Sequence, residues 1–185
     1  TRHGPVAKVL LLYNGVYGHT QRICESISAE LVRAGHAADI APLGEGSPDF
    51  AAYDAIVIGA AIRHGKHSPT VLEFVQRHVA VLKLKPSAFF SVSLIARKAT
   101  RNTATTNPYV KAFLARSPWQ PPLVGVFGGE LDHQRYGLFN RDVIRLIMTS
   151  NKGPTDLHTK VVFTNWDDVQ RFAGSVAALA AGRPS

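Results

Sequence analysis

The sequence predicts an α/β protein, with a parallel sheet covered by helices on both faces. Three observations carry that prediction. VAKVLLLY (6–13), apolar but for Lys8, and AIVIG (55–59) are apolar runs, as expected of strands buried on both sides. Segments with helical spacing lie between such runs. Ser68-Pro69 and Asn107-Pro108 pair a capping side chain with proline at the first helical position. Strand and helix therefore alternate along the chain, the pattern of successive β-α-β units.

In order, a strand over 6–13 leads through a glycine-bearing loop into a helix over 20–34. Ile23, Ile27 and Leu31 form its apolar stripe, and Gly35 is its C-terminal cap. Residues 37–41 form a short strand, Ser47-Pro48 opens a helical turn, and 55–59 is the next strand. The helix from Pro69 carries Val71, Leu72 and Val75. A strand over 87–93, a helix over 108–114 and a strand over 124–127 follow. Residues 132–160 are irregular around one helical piece, 139–149, and read as an insertion within the last β-α unit. Residues 161–164 are strand-like. Asn165, with Asp168 three residues on, caps a final helix to Ala180. There is no internal repeat, low-complexity tract or linker, so 1–185 reads as one domain.

Composition bounds the function. Apolar residues make up 45% of the chain, which is globular rather than disordered. No run reaches the roughly 18 apolar residues of a membrane span, and residues 1–5 lack signal-peptide organisation. The single cysteine, Cys24, excludes an intrachain disulfide and falls on the predicted first helix, as a buried structural thiol. The net charge of +8 favours acidic partners and argues against a carrier that docks on basic surfaces. Charge alone, without a motif, does not predict nucleic-acid binding.

In open parallel sheets, ligands bind beyond the carboxyl ends of the strands. Loops 14–20, 60–67 and 94–106 leave strands at that edge. The first contains Gly15 and Gly18 and feeds a helix N-terminus, where N–H groups and the dipole favour a phosphate. An ordinary tight turn explains it equally well. It is neither GxGxxG nor GxxxxGK[ST], which argues against a dinucleotide fold and a P-loop.

Five segments carry a resemblance: GHTQRI (18–23), YDAIVIGAAIRHGKH (53–67), PSAFFSVSLIARK (86–98), TNPYVKAFL (106–114) and KVVFTNW (160–166). The chain resembles flavodoxin-like proteins and, among them, the FMN-containing, quinone-dependent protoporphyrinogen IX dehydrogenases. That resemblance implies a flavodoxin-like fold with a five-stranded parallel sheet in the order 2-1-3-4-5. It implies FMN, with its phosphate on Asn14, Gly15, Val16, Tyr17, Gly18, His19 and Thr20. The flavin ring is then expected between Ala61, Ile62 and Arg63 on one side and Ser91, Val92, Ser93 and Leu94 on the other. The chain departs from the family at Asn14 and Gly15, where two hydroxyl residues are usual, so weaker phosphate binding is expected.

The implied reaction is oxidation of protoporphyrinogen IX to protoporphyrin IX in haem biosynthesis, with electrons passing through FMN to a membrane quinone. An NAD(P)H:quinone reductase and an FMN electron carrier are the alternatives. The substrate carries two propionates. Arg63, His64, Lys66, Arg97, Lys98 and Arg101 lie in the two loops expected to flank the flavin. Each alone reads as a solvated cation; as a group they read as a carboxylate-binding rim, with Arg63, Arg97, Lys98 and Arg101 as substrate-binding candidates. His64 and His67 lack companion ligands at metal spacing, so no metal is expected. Asp156 either hydrogen-bonds the ribityl or phosphate region or caps a turn. The 132–160 insertion mixes cations with apolar residues and reads either as a membrane-lying helix or as a covering one. Trp119 and Trp166 read as packing residues. Peripheral membrane contact is expected, on the cytoplasmic face of a bacterial inner membrane or at a mitochondrial inner membrane, and an oligomer is compatible with the sequence.

Overall fold

Apolar alternation sorts the central strands between two cores. In β1 (Lys8–Asn14), Val9 and Leu11 point to one face of the sheet, and Leu10 and Leu12 to the other. Both sets are buried, which is why the strand contains no polar position between Lys8 and its end. The structure is a computed structural model and describes residues 6–15, 18–44, 48–63, 65–132 and 160–182.

Five strands form the parallel sheet: β1, β2 (Ala37–Pro42), β3 (Ala55–Arg63), β5 (Ser87–Ser93) and β6 (Leu123–Gly128). Their order is β2-β1-β3-β5-β6, with a two-residue strand β4 (Lys66–His67) antiparallel to the end of β3. With β4 set aside, this is the order the resemblance implied. One face is covered by α1 (His19–Arg33) and α5 (Trp166–Ala180), whose Ile23, Ile27, Leu31, Phe172 and Val176 meet Val9, Leu11, Val57 and Phe90. The other is covered by α2 (Pro69–Arg77), α3 (Val79–Leu84) and α4 (Pro108–Arg116). There Phe74, Leu82 and Phe113 meet Leu10, Leu12, Ile58 and Phe89. Burying a side chain such as Leu11 or Ile58 stabilises the fold by about 2 kcal/mol, and Leu11→Ala would cost about 2–5 kcal/mol.

The cap signals locate helix starts. Ser68 Oγ accepts from Thr70 N, Asn107 Oδ1 from Tyr109 N and Val110 N, and Asn165 Oδ1 from Asp167 N and Asp168 N. Trp119 is buried and donates from Nε1 to Ser87 Oγ at 3.0 Å, a packing role. Cys24 is fully buried, and burial pushes its thiol up to about 12.

Two expectations change, at residues 60–67 and at the last strand. Residues 60–67 are not a loop: β3 continues to Arg63 and turns back as β4, because Gly65 at φ 77° supplies the left-handed residue of a tight hairpin. The helix from Pro69 breaks at His78, with α3 as a separate turn. The last strand, β8 (Lys160–Val162), does not join the sheet; it pairs antiparallel with β7 (Glu130–Asp132). The expected helix 139–149, and Val16, Tyr17, His64 and Asp156, lie outside the described residues.

Candidate functional site

The carboxyl ends of β1, β3 and β5 meet at one edge, as their parallel register requires: Asn14 pairs with Ala60, and Ala60 with Ser91. Asn14, Gly15, Ala61 and Arg63 line a single cavity of about 300 Å³. Lys66, His67, Ser68 and Pro69 complete its wall. Four predicted residues from two separate chain segments, the ends of β1 and β3, are thus brought together.

At the start of α1, Gly18 is the N-cap with φ 82°. Glycine tolerates that left-handed conformation, and it carries no side chain to satisfy the first N–H groups. The start of α1 therefore differs from those of α2, α4 and α5, each of which has a side-chain cap. The first turn also contains no acid, although acids are the usual partners of that end of the dipole. Position 15 leaves no room for a side chain: a Cβ there would lie 2.3 Å from Thr20 Oγ1, and Thr20 is itself buried. The departure from two hydroxyl residues thus has a steric reason at Gly15.

His19 is turned inward. Thr164 Oγ1 donates to Gly128 O at 2.7 Å, so at 2.7 Å from His19 Nε2 it accepts, and Nε2 carries the proton. His19 Nδ1 lies 3.3 Å from Glu130 Oε2 without a hydrogen bond, and the two form an ion pair only when the ring is protonated. Arg22 Nη2 donates to the same oxygen at 2.5 Å. Burial lowers the His19 pKa, and the Glu130 carboxylate opposes that shift. The imidazole is therefore committed within the chain, and the backbone N–H is the part of His19 left for a ligand.

On β5, Ser91, Val92 and Ser93 are buried, and Leu94 opens a 3-10 turn. Ser91 Oγ is 2.8 Å from His67 Nε2. The His67 ring stands edge-on to Phe89 and Phe113, and burial lowers its pKa to about 4. It is a neutral hydrogen-bonding group at the cavity wall.

The expected basic rim is divided. Arg63 and Lys66 face the cavity. Arg97 instead folds back, donating from Nη1 to Leu94 O at 3.3 Å and lying 5.9 Å from the Phe163 ring centroid, and burial lowers its pKa. Lys98 and Arg101 are exposed, and Arg101 bonds Thr100 O. None of the three lines the cavity. Reading the sequence for site residues missed His67, Ser68 and Glu130. The signal for His67 was its place two residues beyond a histidine-glycine turn; nothing local marked Glu130. Among the described residues, no cluster of His, Cys, Asp or Glu could hold a metal ion.

A family model described as a flavodoxin domain matches residues 10–158. The chain belongs to the flavodoxin-domain family. Two relatives of this flavodoxin-domain chain are named protoporphyrinogen IX dehydrogenase (quinone), the family its motifs resemble. One, from Leishmania major, is 42% identical over 96% of the chain and 78% of its own length. The other, from Escherichia coli K12, is 39% identical over 93% of the chain and 96% of its own length. Among solved structures, Bacillus cereus flavodoxin 2 matches with TM-score 0.53 at 16% identity, over 92% of this chain and 98% of that one. Rubredoxin oxygen:oxidoreductase from Desulfovibrio gigas matches with TM-score 0.55 at 11% identity; 97% of this chain aligns with 37% of that one. These two share the fold. The uncapped N–H groups of α1, with no acid among them, fit the phosphate of the FMN that flavodoxin domains bind.

Proposed function

We propose that this chain is an FMN-dependent oxidoreductase that oxidises protoporphyrinogen IX to protoporphyrin IX and passes the electrons to a quinone. The observation that carries the reading is the identity of 39–42% to enzymes of that name across 93–96% of the chain. FMN, when bound, supplies a two-electron acceptor that a quinone can reoxidise.

The residues divide the work. Asn14, Gly15, Gly18, Thr20 and the His19 backbone hold the phosphate end. Val16, Tyr17 and Asp156 belong to the same expectation. Ala61, Ile62 and Arg63, with the backbone of Ser91, Val92, Ser93 and Leu94, hold the ring end. His67 keeps Ser91 oriented without adding charge. Protons released by the substrate pass to water at the open edge. Arg97, Lys98 and Arg101 form an outer basic surface that attracts an acidic substrate. A lipid-soluble acceptor calls for peripheral contact with a membrane, and the +8 charge suits an anionic surface. In a bacterium that membrane is the inner one at its cytoplasmic face; in a eukaryote it is the mitochondrial inner membrane.

The test is anaerobic. FMN-loaded protein receives protoporphyrinogen IX and a quinone, and porphyrin fluorescence is followed. Quinone-dependent porphyrin formation is expected; none, with FMN still bound, overturns the reading. Rapid bleaching of the flavin by NAD(P)H would favour a quinone reductase instead.

A further inference from the structure

The hairpin of β3 and β4 carries a charge arrangement that its own strands disfavour. Arg63 and Lys66 are direct partners across it. Like charges opposite each other in an antiparallel pair destabilise it. Neither forms an ion pair with a described residue. Both line the cavity, whose remaining wall contains no carboxylate. The start of α2, at Ser68 and Pro69, adds the positive end of a helix dipole to the same space. A concave wall with charge of one sign focuses its field on an anion.

We propose that Arg63 and Lys66 clamp a carboxylate of the tetrapyrrole substrate at this cavity and so select a substrate with acidic side arms. The proposal rests on the function above in taking that carboxylate to be a propionate. The phosphate of FMN is a second source of the same oxyanion chemistry. Asn14 and Gly15 of the phosphate-binding loop border the same cavity, so the test separates the two sources. Lys66 becomes a specificity-determining residue, and the 94–101 segment is no substitute, since Arg97 is already bonded to Leu94 O.

The test uses FMN-loaded protein and two probes, protoporphyrin IX and its dimethyl ester, with binding read by porphyrin fluorescence. Wild-type protein is expected to hold the diacid more tightly than the ester. Lys66→Met should weaken diacid binding about tenfold, the scale of one charge-assisted hydrogen bond, and leave the ester unchanged; Arg63→Met, at a residue that also meets the flavin ring, should weaken the diacid more than the ester. The ratio of FMN to riboflavin affinity should stay constant. Diacid and ester weakened alike, or diacid binding left intact, overturns the clamp. A selective loss of FMN over riboflavin assigns the two cations to the phosphate and also overturns it. Wild-type protein that binds neither porphyrin overturns it as well. Diacid binding that depends on Arg63 and Lys66, without quinone-dependent porphyrin formation, upholds the clamp and overturns the proposed function.

Discussion

The two sides of the sheet's carboxyl edge treat charge in opposite ways. On the α1 side, Arg22 and His19 converge on Glu130, whose side chain is 7% exposed, and Thr164 ties His19 to the Gly128 carbonyl. On the hairpin side, Arg63 and Lys66 face each other without an acid among the described residues. The cations that meet a partner within the chain hold elements together. Those without one among the described residues cost stability and line the cavity.

Acidification should strain this contrast most. Burial keeps His67 neutral down to about pH 4, against an unfolded value of 6.5. As pH falls through that window the unfolded chain takes up a proton that the folded imidazole refuses, so stability falls from about pH 6.5 to about pH 4. The loss is at most about 3 kcal/mol, and protonation would also set a third positive charge beside Arg63 and Lys66. Urea midpoints between pH 7 and 4.5 should drop steeply for the wild type and less for His67→Gln, which can still reach Ser91. Equal slopes would remove His67 from this role. Some slope should remain, because burial also lowers His19 and His78.

Glu130→Gln probes the partnered side. It keeps the shape and removes the charge that Arg22 meets, so a loss of about 2 kcal/mol in urea unfolding is expected. An unchanged midpoint would show that the cluster is ornamental to stability. Gly15→Ala drives a Cβ toward Thr20 Oγ1. Overpacking of about 1–3 kcal/mol should weaken FMN binding about tenfold in a flavin-quenching titration; wild-type affinity would mean that the loop has slack. The smallest effect has the opposite sign. Lys66→Met should stabilise the protein without ligand by roughly 0.2–1 kcal/mol, by relieving the like-charge pair. A stability loss would reveal a structural partner for Lys66.

Most of the frame was legible because it is written locally. The apolar runs of β1, β3 and β5 and the caps at Ser68, Asn107 and Asn165 each declare themselves within a few residues. The hairpin was read as a loop because β4 is only two residues long, and its alternation is hidden by the cations at Arg63 and Lys66. The His19–Glu130–Thr164 cluster was illegible for another reason. Arg22 and Glu130 are 108 positions apart, and His19 and Thr164 are 145 apart, so only the assembled sheet brings them together. The rim misled in a third way: spacing places Arg97 near the edge, but Phe163 and the Leu94 carbonyl draw its guanidinium aside.

Cys24 makes the opening of α1 a measurable rate. It is the only thiol in the chain, and it is buried and protonated. Alkylating reagents need a solvent-reached thiolate, so labelling of the native protein proceeds only during excursions that lift this helix from the sheet. A ligand seated at the N-terminal end of the helix makes those excursions rarer in proportion to its occupancy. The labelling half-life, with and without FMN, therefore measures how firmly the cofactor holds α1 down, with no turnover required.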